Sequence, residues 1–100
     1  MLFRSLFIAD GCGQASMTLA QEVRDARDEG ALSFADIESG SVITRAFDSR
    51  VTDSAAGATA FACGIRTRNG MIAMAPDSTP VRTVLELAES EGWQIGRAHV

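Results

Sequence analysis

The chain is 100 residues long, 46% hydrophobic and 22% charged, with two prolines, a composition that fits one small globular domain and excludes a disordered tail or a repeat array. Nine basic against thirteen acidic side chains leave a formal net charge of −4, and without a basic cluster nothing marks a nucleic-acid surface. No run approaches the roughly 20 apolar residues of a membrane-spanning helix, and Asp10 interrupts the apolar start too early for an export signal.

The elements follow in chain order. Leu2 to Ala9 is apolar and rich in strand formers, which predicts a buried strand, and it stops at the tight loop Asp10-Gly11-Cys12-Gly13. Gln14 to Glu29 is predicted helical, with Ala15, Thr18, Leu19, Glu22, Val23 and Ala26 at helical spacing and Gly30 as the terminating glycine. Leu32, Phe34 and Ile37 are read as buried anchors of a connecting loop that runs to Ser41. Val42 to Phe47 is a second predicted strand. Asp53 to Gly64 is nearly all small residues and predicts a tightly packed helix, capped by Thr52 or Asp53 and closed by Gly64. Asn69-Gly70 signals a turn, Met71 to Met74 a short strand and Pro76 to Pro80 a loop. Val81 to Glu91 carries an amphipathic pattern started by Thr79-Pro80 and stopped by Gly92, after which Trp93 opens another strand. This order predicts an open α/β sheet with helices on its faces, whose sites lie at the carboxyl ends of strands.

Asp10 stands at one such strand end, and Ser54 opens a helix where unpaired backbone N–H groups and the helix dipole favour an anion. Read alone, Ser54 is either a helix-capping residue or a nucleophile, and Asp10 either a loop-capping aspartate or a hard-metal ligand. A serine nucleophile needs a base or a metal, and with His99 as the single histidine, at the end of the chain, metal activation is the better route. Ala55, Ala56 and Gly57 are small enough to let a substrate or an ion approach. Cys12 and Cys63 form no Cys-x-x-Cys pair and leave the redox compartment open; spacing does not decide whether their Cα atoms come within the ~7 Å a bridge needs. Nine positions beyond Ser54, Cys63 is read as packing and not as catalytic.

Val51-Thr52-Asp53-Ser54-Ala55-Ala56-Gly57-Ala58-Thr59-Ala60 closely resembles the nucleophile motif of the alkaline phosphatase family. Asp10-Gly11-Cys12-Gly13 resembles that family's first metal-binding turn, and Thr67, Asn69 and Gly70 continue the pattern. The resemblance covers most of residues 3 to 93. It implies the amino-terminal part of a three-layer α/β/α fold with a mostly parallel central sheet. It further implies phosphomonoester hydrolysis through a phosphoserine intermediate at a site of two zinc ions and one magnesium ion. On it, Ser54 matches the attacking serine bound to zinc, Asp10 the aspartate between the second zinc and the magnesium, and Asp53 the aspartate that positions a phosphate-gripping arginine. Small phosphate esters are the partners so implied, with no nucleic acid and no membrane; a homodimeric parent is allowed, and a periplasmic or secreted location is suggested. Cys12 stands where the family usually has methionine and Ala9 where glycine is common, and neither change removes a ligand. Arg66 and Arg68 fall in the family's Lys-Thr-Tyr-Asn-Gly stretch, and neither is assigned to the phosphate.

The family's other ligands, its magnesium-binding threonine and its arginine lie further along than these residues. Residues 1–94 are therefore expected to be an amino-terminal fragment, and Ile95-Gly96-Arg97-Ala98-His99-Val100 reads as a translated sequencing adapter. The fragment alone is expected to be inactive, and to aggregate or stay molten because a truncated sheet exposes an edge. The alternatives are a non-catalytic remnant or binding module on the same fold, or a related phosphodiesterase or sulfatase, against which Asp53-Ser54-Ala55 speaks.

Overall fold

The computed structural model describes residues 6–96, which divide between Ser41 and Val42 into two units. Residues 1–5, half of the first predicted strand, and residues 97–100, with His99 and most of the suspected adapter tail, lie outside the described residues.

In the first unit the chain turns at Asp10 and Gly11, where Gly11 has φ +69°, a backbone region that favours glycine. Gly13 is extended, and its carbonyl accepts from the Ser16 and Met17 amides, which starts helix α1 at Gln14. α1 spans Gln14–Ala26 and ends three residues before the predicted Glu29. Gly30 does carry the chain away with φ +72°, but Asp28 has already left the helix with φ +56°. Arg24 closes this end, its carbonyl accepting from the Glu29 amide and its Nε donating to the Gly30 carbonyl at 3.0 Å. Gln21 Oε1 accepts from the Leu32 amide at 3.0 Å and folds the following loop back on α1. A single 3-10 turn, Ala35–Ile37, follows. Of the expected anchors Leu32 is half-buried, whereas Phe34 and Ile37 are exposed.

In the second unit helix α2 spans Ser54–Cys63 and helix α3 spans Val84–Ser90, and the two pack on each other. α2 forms because Asp53 caps it and because its run of small residues lets Ala56 and Thr59 be buried. Gly64 closes it at φ +71°, donating its amide to the Ala60 carbonyl. α3 starts three residues after the predicted Val81: Thr83 accepts from the Glu86 amide while the Glu86 carboxylate accepts from the Thr83 amide. This reciprocal box, legible as Thr83-x-x-Glu86, outcompetes Thr79-Pro80 as a start signal. The Pro76–Pro80 loop is closed by an antiparallel pairing of Met74 with Pro80, with the Val81 amide bonded to the Ala73 carbonyl.

The central sheet is not present among the described residues. Apart from the isolated Met74–Pro80 pairing, the predicted strands over 2–9 (in its described part), 42–47, 71–74 and from Trp93 run as irregular chain. A parallel strand satisfies its amides only against a neighbouring strand and its apolar faces only beneath helices. Here the Ala46 amide is taken by Thr52 Oγ1 and the Phe47 amide by the Thr67 carbonyl, and the Trp93 amide turns back to Ala88. Leu6, Phe7, Val42, Ile43 and Phe47 are accordingly exposed. Buried positions are instead small or hydroxylic: Ala46, Ala56, Thr59 and Thr67. Among the described residues no helix is long and apolar enough to cross a membrane.

Candidate active site

Ser54 occupies the first position of α2 and is exposed. Of the two capping candidates it is Asp53 that caps. Its backbone is extended (φ −81°, ψ 172°), and its Oδ1 accepts from the Ala56 amide at 2.8 Å. The other carboxylate oxygen, Oδ2, accepts from the Gly70 amide at 2.6 Å. Asp53 therefore ties the start of α2 to the Asn69-Gly70 turn, where Gly70 takes φ +81°. Thr52 serves the preceding segment, accepting from the Ala46 amide at 2.9 Å.

The turn answers with its own side chain. Asn69 Oδ1 accepts from the Asp53 amide at 3.0 Å and Asn69 Nδ2 donates to the Val51 carbonyl at 2.9 Å, while the Asn69 amide donates to Asp48 Oδ1 at 3.2 Å. On one side of this turn Thr67 is fully buried, and the Arg68 guanidinium lies over the Phe47 ring, 5.4 Å from its centre, with Nε donating to the Pro76 carbonyl. Deeper in α2 the Thr59 hydroxyl accepts from the Ala73 amide and meets the Ala55 and Met71 carbonyls at 3.0 and 3.1 Å.

The small residues after Ser54 pack as a tight helix, as their composition predicts. Ala56 is buried within the unit, and a Cβ on Gly57 would make only an ordinary 3.9 Å contact with the Thr52 methyl. At Ala56 smallness serves packing of the chain on itself.

Asp10 lies in the exposed turn of the first unit, and Ser54 and Asp53 belong to the second. Among the described residues no three His, Cys, Asp or Glu side chains gather into a group that would hold a metal ion. The carboxylate of Asp10 and the hydroxyl of Ser54 are oxygen donors suited to hard cations, yet two donors fall short of the four that a zinc ion takes. The described residues therefore do not themselves form the expected metal centre.

Both cysteines are free thiols. Cys63 Sγ sits 3.9 Å from the Val81 carbonyl, and burial, with the Glu86 carboxylate adding to it, pushes its pKa up and keeps it protonated. A raised pKa suits packing and not nucleophilic attack, in line with its reading from sequence.

Polar side chains thus fix the backbone directly in front of an exposed serine at a helix start. The family model for alkaline phosphatase matches residues 5–99, and the chain belongs to the alkaline phosphatase family. It is 45% identical over 94 residues to the repressible alkaline phosphatase of Saccharomyces cerevisiae, covering 90% of this chain and 17% of that protein. It is 34% identical over 97 residues to an alkaline phosphatase of Schizosaccharomyces pombe, covering 94% and 18%. To the streptomycin-6-phosphate phosphatase of Streptomyces griseus it is 42% identical over 98 residues, covering 91% and 22%. The chain thus spans about a fifth of the length of these relatives. No solved structure gives a significant match.

Proposed function

We propose that the protein containing this chain hydrolyses phosphate monoesters, with Ser54 as its nucleophile. The serine oxygen forms a bond to phosphorus as the ester P–O bond breaks, the alcohol leaves with a proton taken from solvent, and the serine proton is given up to solvent. Water then attacks the phosphoserine, releasing inorganic phosphate and restoring the hydroxyl. What supports this reading is the exposed Ser54 in the first turn of α2, directly after the capping Asp53, within a chain of the alkaline phosphatase family. The helix start offers N–H groups and a positive dipole end to the phosphoryl oxygens.

The two zinc ions and the magnesium ion belong to the same proposal, with Asp10 and Ser54 as this chain's oxygen donors; when bound, such ions neutralise charge on the phosphoryl oxygens. The parent's three-layer α/β/α sheet is likewise proposed. The streptomycin-6-phosphate phosphatase name of one relative and the broader names of the others share only the phosphate ester, and the substrate class proposed here is no narrower than that.

The test is acid quench of the full-length protein with a phosphate ester labelled at phosphorus. Wild type acquires a label on Ser54, and Ser54→Ala loses both the label and hydrolysis by roughly 10³-fold or more, as removal of a covalent nucleophile does. Label at another residue, or undiminished turnover, overturns the reading.

A further inference from the structure

We infer that Asn69 is a positioning residue for the nucleophile, acting on Ser54 through the backbone of residues 51–53; this rests on the reading of Ser54 as the attacking group. The Asn69 side-chain amide lies alongside the chain just before α2 as a neighbouring strand would. Its oxygen takes the Asp53 N–H and its nitrogen gives to the Val51 carbonyl, at 3.0 and 2.9 Å. Each end of the amide meets a group of opposite hydrogen-bonding sense, which fixes its orientation. The next residue completes the hold, since the Gly70 amide donates to Asp53 Oδ2. Asp53 is thereby pinned at its amide, at one carboxylate oxygen by the turn and at the other by α2. Ser54 follows directly, so the torsions of Asp53 set where its Cα–Cβ bond points.

The turn is itself anchored. The Asn69 amide is tied to Asp48, Thr67 is fully buried with its carbonyl accepting from Phe47, and Arg68 is stacked on Phe47. A side chain held by a rigid turn transmits that rigidity to the group it grips. In-line attack is sensitive to displacements of about 1 Å, which cost up to ~10²-fold. The side chain of Asn69 makes these bonds to the backbone and is assigned no contact with the reacting atoms.

The experiment compares Asn69→Ala, Asn69→Asp and Ser54→Ala in the full-length protein by rapid-quench phosphoserine formation, with active sites counted by the label each variant finally takes up. Asn69→Ala is expected to slow labelling ~10–100-fold per active site, with inorganic phosphate inhibiting within about threefold of wild type. Asn69→Asp keeps the oxygen facing the Asp53 amide but loses the donor to Val51 and, when ionised, adds charge beside the Asp48 and Asp53 carboxylates, while Arg68 stays engaged with Phe47 and Pro76. Its labelling rate relative to wild type should rise as pH falls and the introduced carboxyl protonates, because a neutral acid again offers both a donor and an acceptor.

An unchanged labelling rate per active site in both variants, with only a smaller folded fraction, overturns the inference and leaves the nucleophile assignment intact. A pH-independent rate ratio in Asn69→Asp also overturns it. Persistent label in Ser54→Ala overturns the nucleophile assignment itself and the inference with it. If Asn69→Ala yields too little folded protein, Asn69→Asp carries the test.

Discussion

In residues 6–41 side chains reach short distances along the sequence, Gln21 to Leu32 and Arg24 to Gly30, and the helix they support buries none of its residues. In residues 42–96 they reach further: Asn69 to Val51, the Asp48 carboxylate to the Asn69 amide, the Asp53 carboxylate to Gly70, the Thr59 hydroxyl to Ala73, Cys63 to Val81. Among the described residues, the four buried ones all lie in this second region. The difference teaches what each motif needs. The start of α2 is held by polar groups of its own neighbourhood, without a sheet. The Asp10 turn has glycines with open space where a Cβ would be, so its backbone geometry is local.

The sharpest way to break this contrast is Thr59→Val. Thr59 is 1% exposed, and valine keeps its shape while removing the acceptor for the Ala73 amide and the donor to Ala55 or Met71. A buried amide left without a partner costs ~1–3 kcal/mol, and the lost hydroxyl bond about 1 kcal/mol more. The expected loss is therefore ~2–4 kcal/mol, read as a lowered urea midpoint in the full-length protein. A loss below about 0.5 kcal/mol would show that the hydroxyl does not knit α2 to residues 71–73. Arg24→Ala is the counterpart in the first region. It removes the bond to the Gly30 carbonyl and the 4.0 Å ion pair with Glu29, both solvent-accessible and together worth under about 1 kcal/mol. The expected readout is faster hydrogen exchange confined to residues 27–32, with the midpoint nearly unmoved.

Legibility in the sequence follows the same division. Signals that act within a few residues are read correctly: a cap at Thr52 or Asp53, which falls on Asp53, Gly64 as the close of α2, Asn69-Gly70 as a turn, the start of α1 after Gly13. Where two local signals compete, the stronger is visible only in three dimensions. Arg24 and Asp28 ended α1 before Gly30 did, and Thr83 with Glu86 displaced Thr79-Pro80. The hold of Asn69 on residues 51–53 spans 16 and 18 positions and left no periodic trace, although the family resemblance had singled the residue out. Apolar runs such as 42–47 predict strands because strands are where such runs are usually buried, but pairing is a property of two segments and one segment cannot announce its partner. The role proposed for Ser54 rests on a ten-residue motif, since a serine at a helix start has the same immediate surroundings whether it caps or attacks.

α3 offers the finest test, because it lies in the second region yet is started by an exposed box resembling the local devices of the first. The Glu86 carboxylate accepts from the Thr83 amide at 2.8 Å and from its hydroxyl at 2.9 Å. Those two bonds, the backbone one foremost, with Arg82 adding to them, hold its pKa below the ordinary glutamate value. A carboxyl whose folded-state pKa is lowered contributes stability that is fully present above its unfolded-state pKa and disappears as pH falls through the folded-state value. The first turn of α3 should therefore loosen on acidification through the carboxylate range, seen as faster exchange of the Glu86 and Leu87 amides, while the α2 amides behind the Asp53 cap are followed as an internal reference. Glu86→Gln retains an acceptor for the Thr83 amide and does not titrate, so its exchange at α3 should be flat over that range apart from the intrinsic pH dependence of the amides. Equal acid sensitivity in wild type and Glu86→Gln would place the origin elsewhere, with Asp77, whose pKa is likewise lowered by Thr79, as the carboxyl to substitute next.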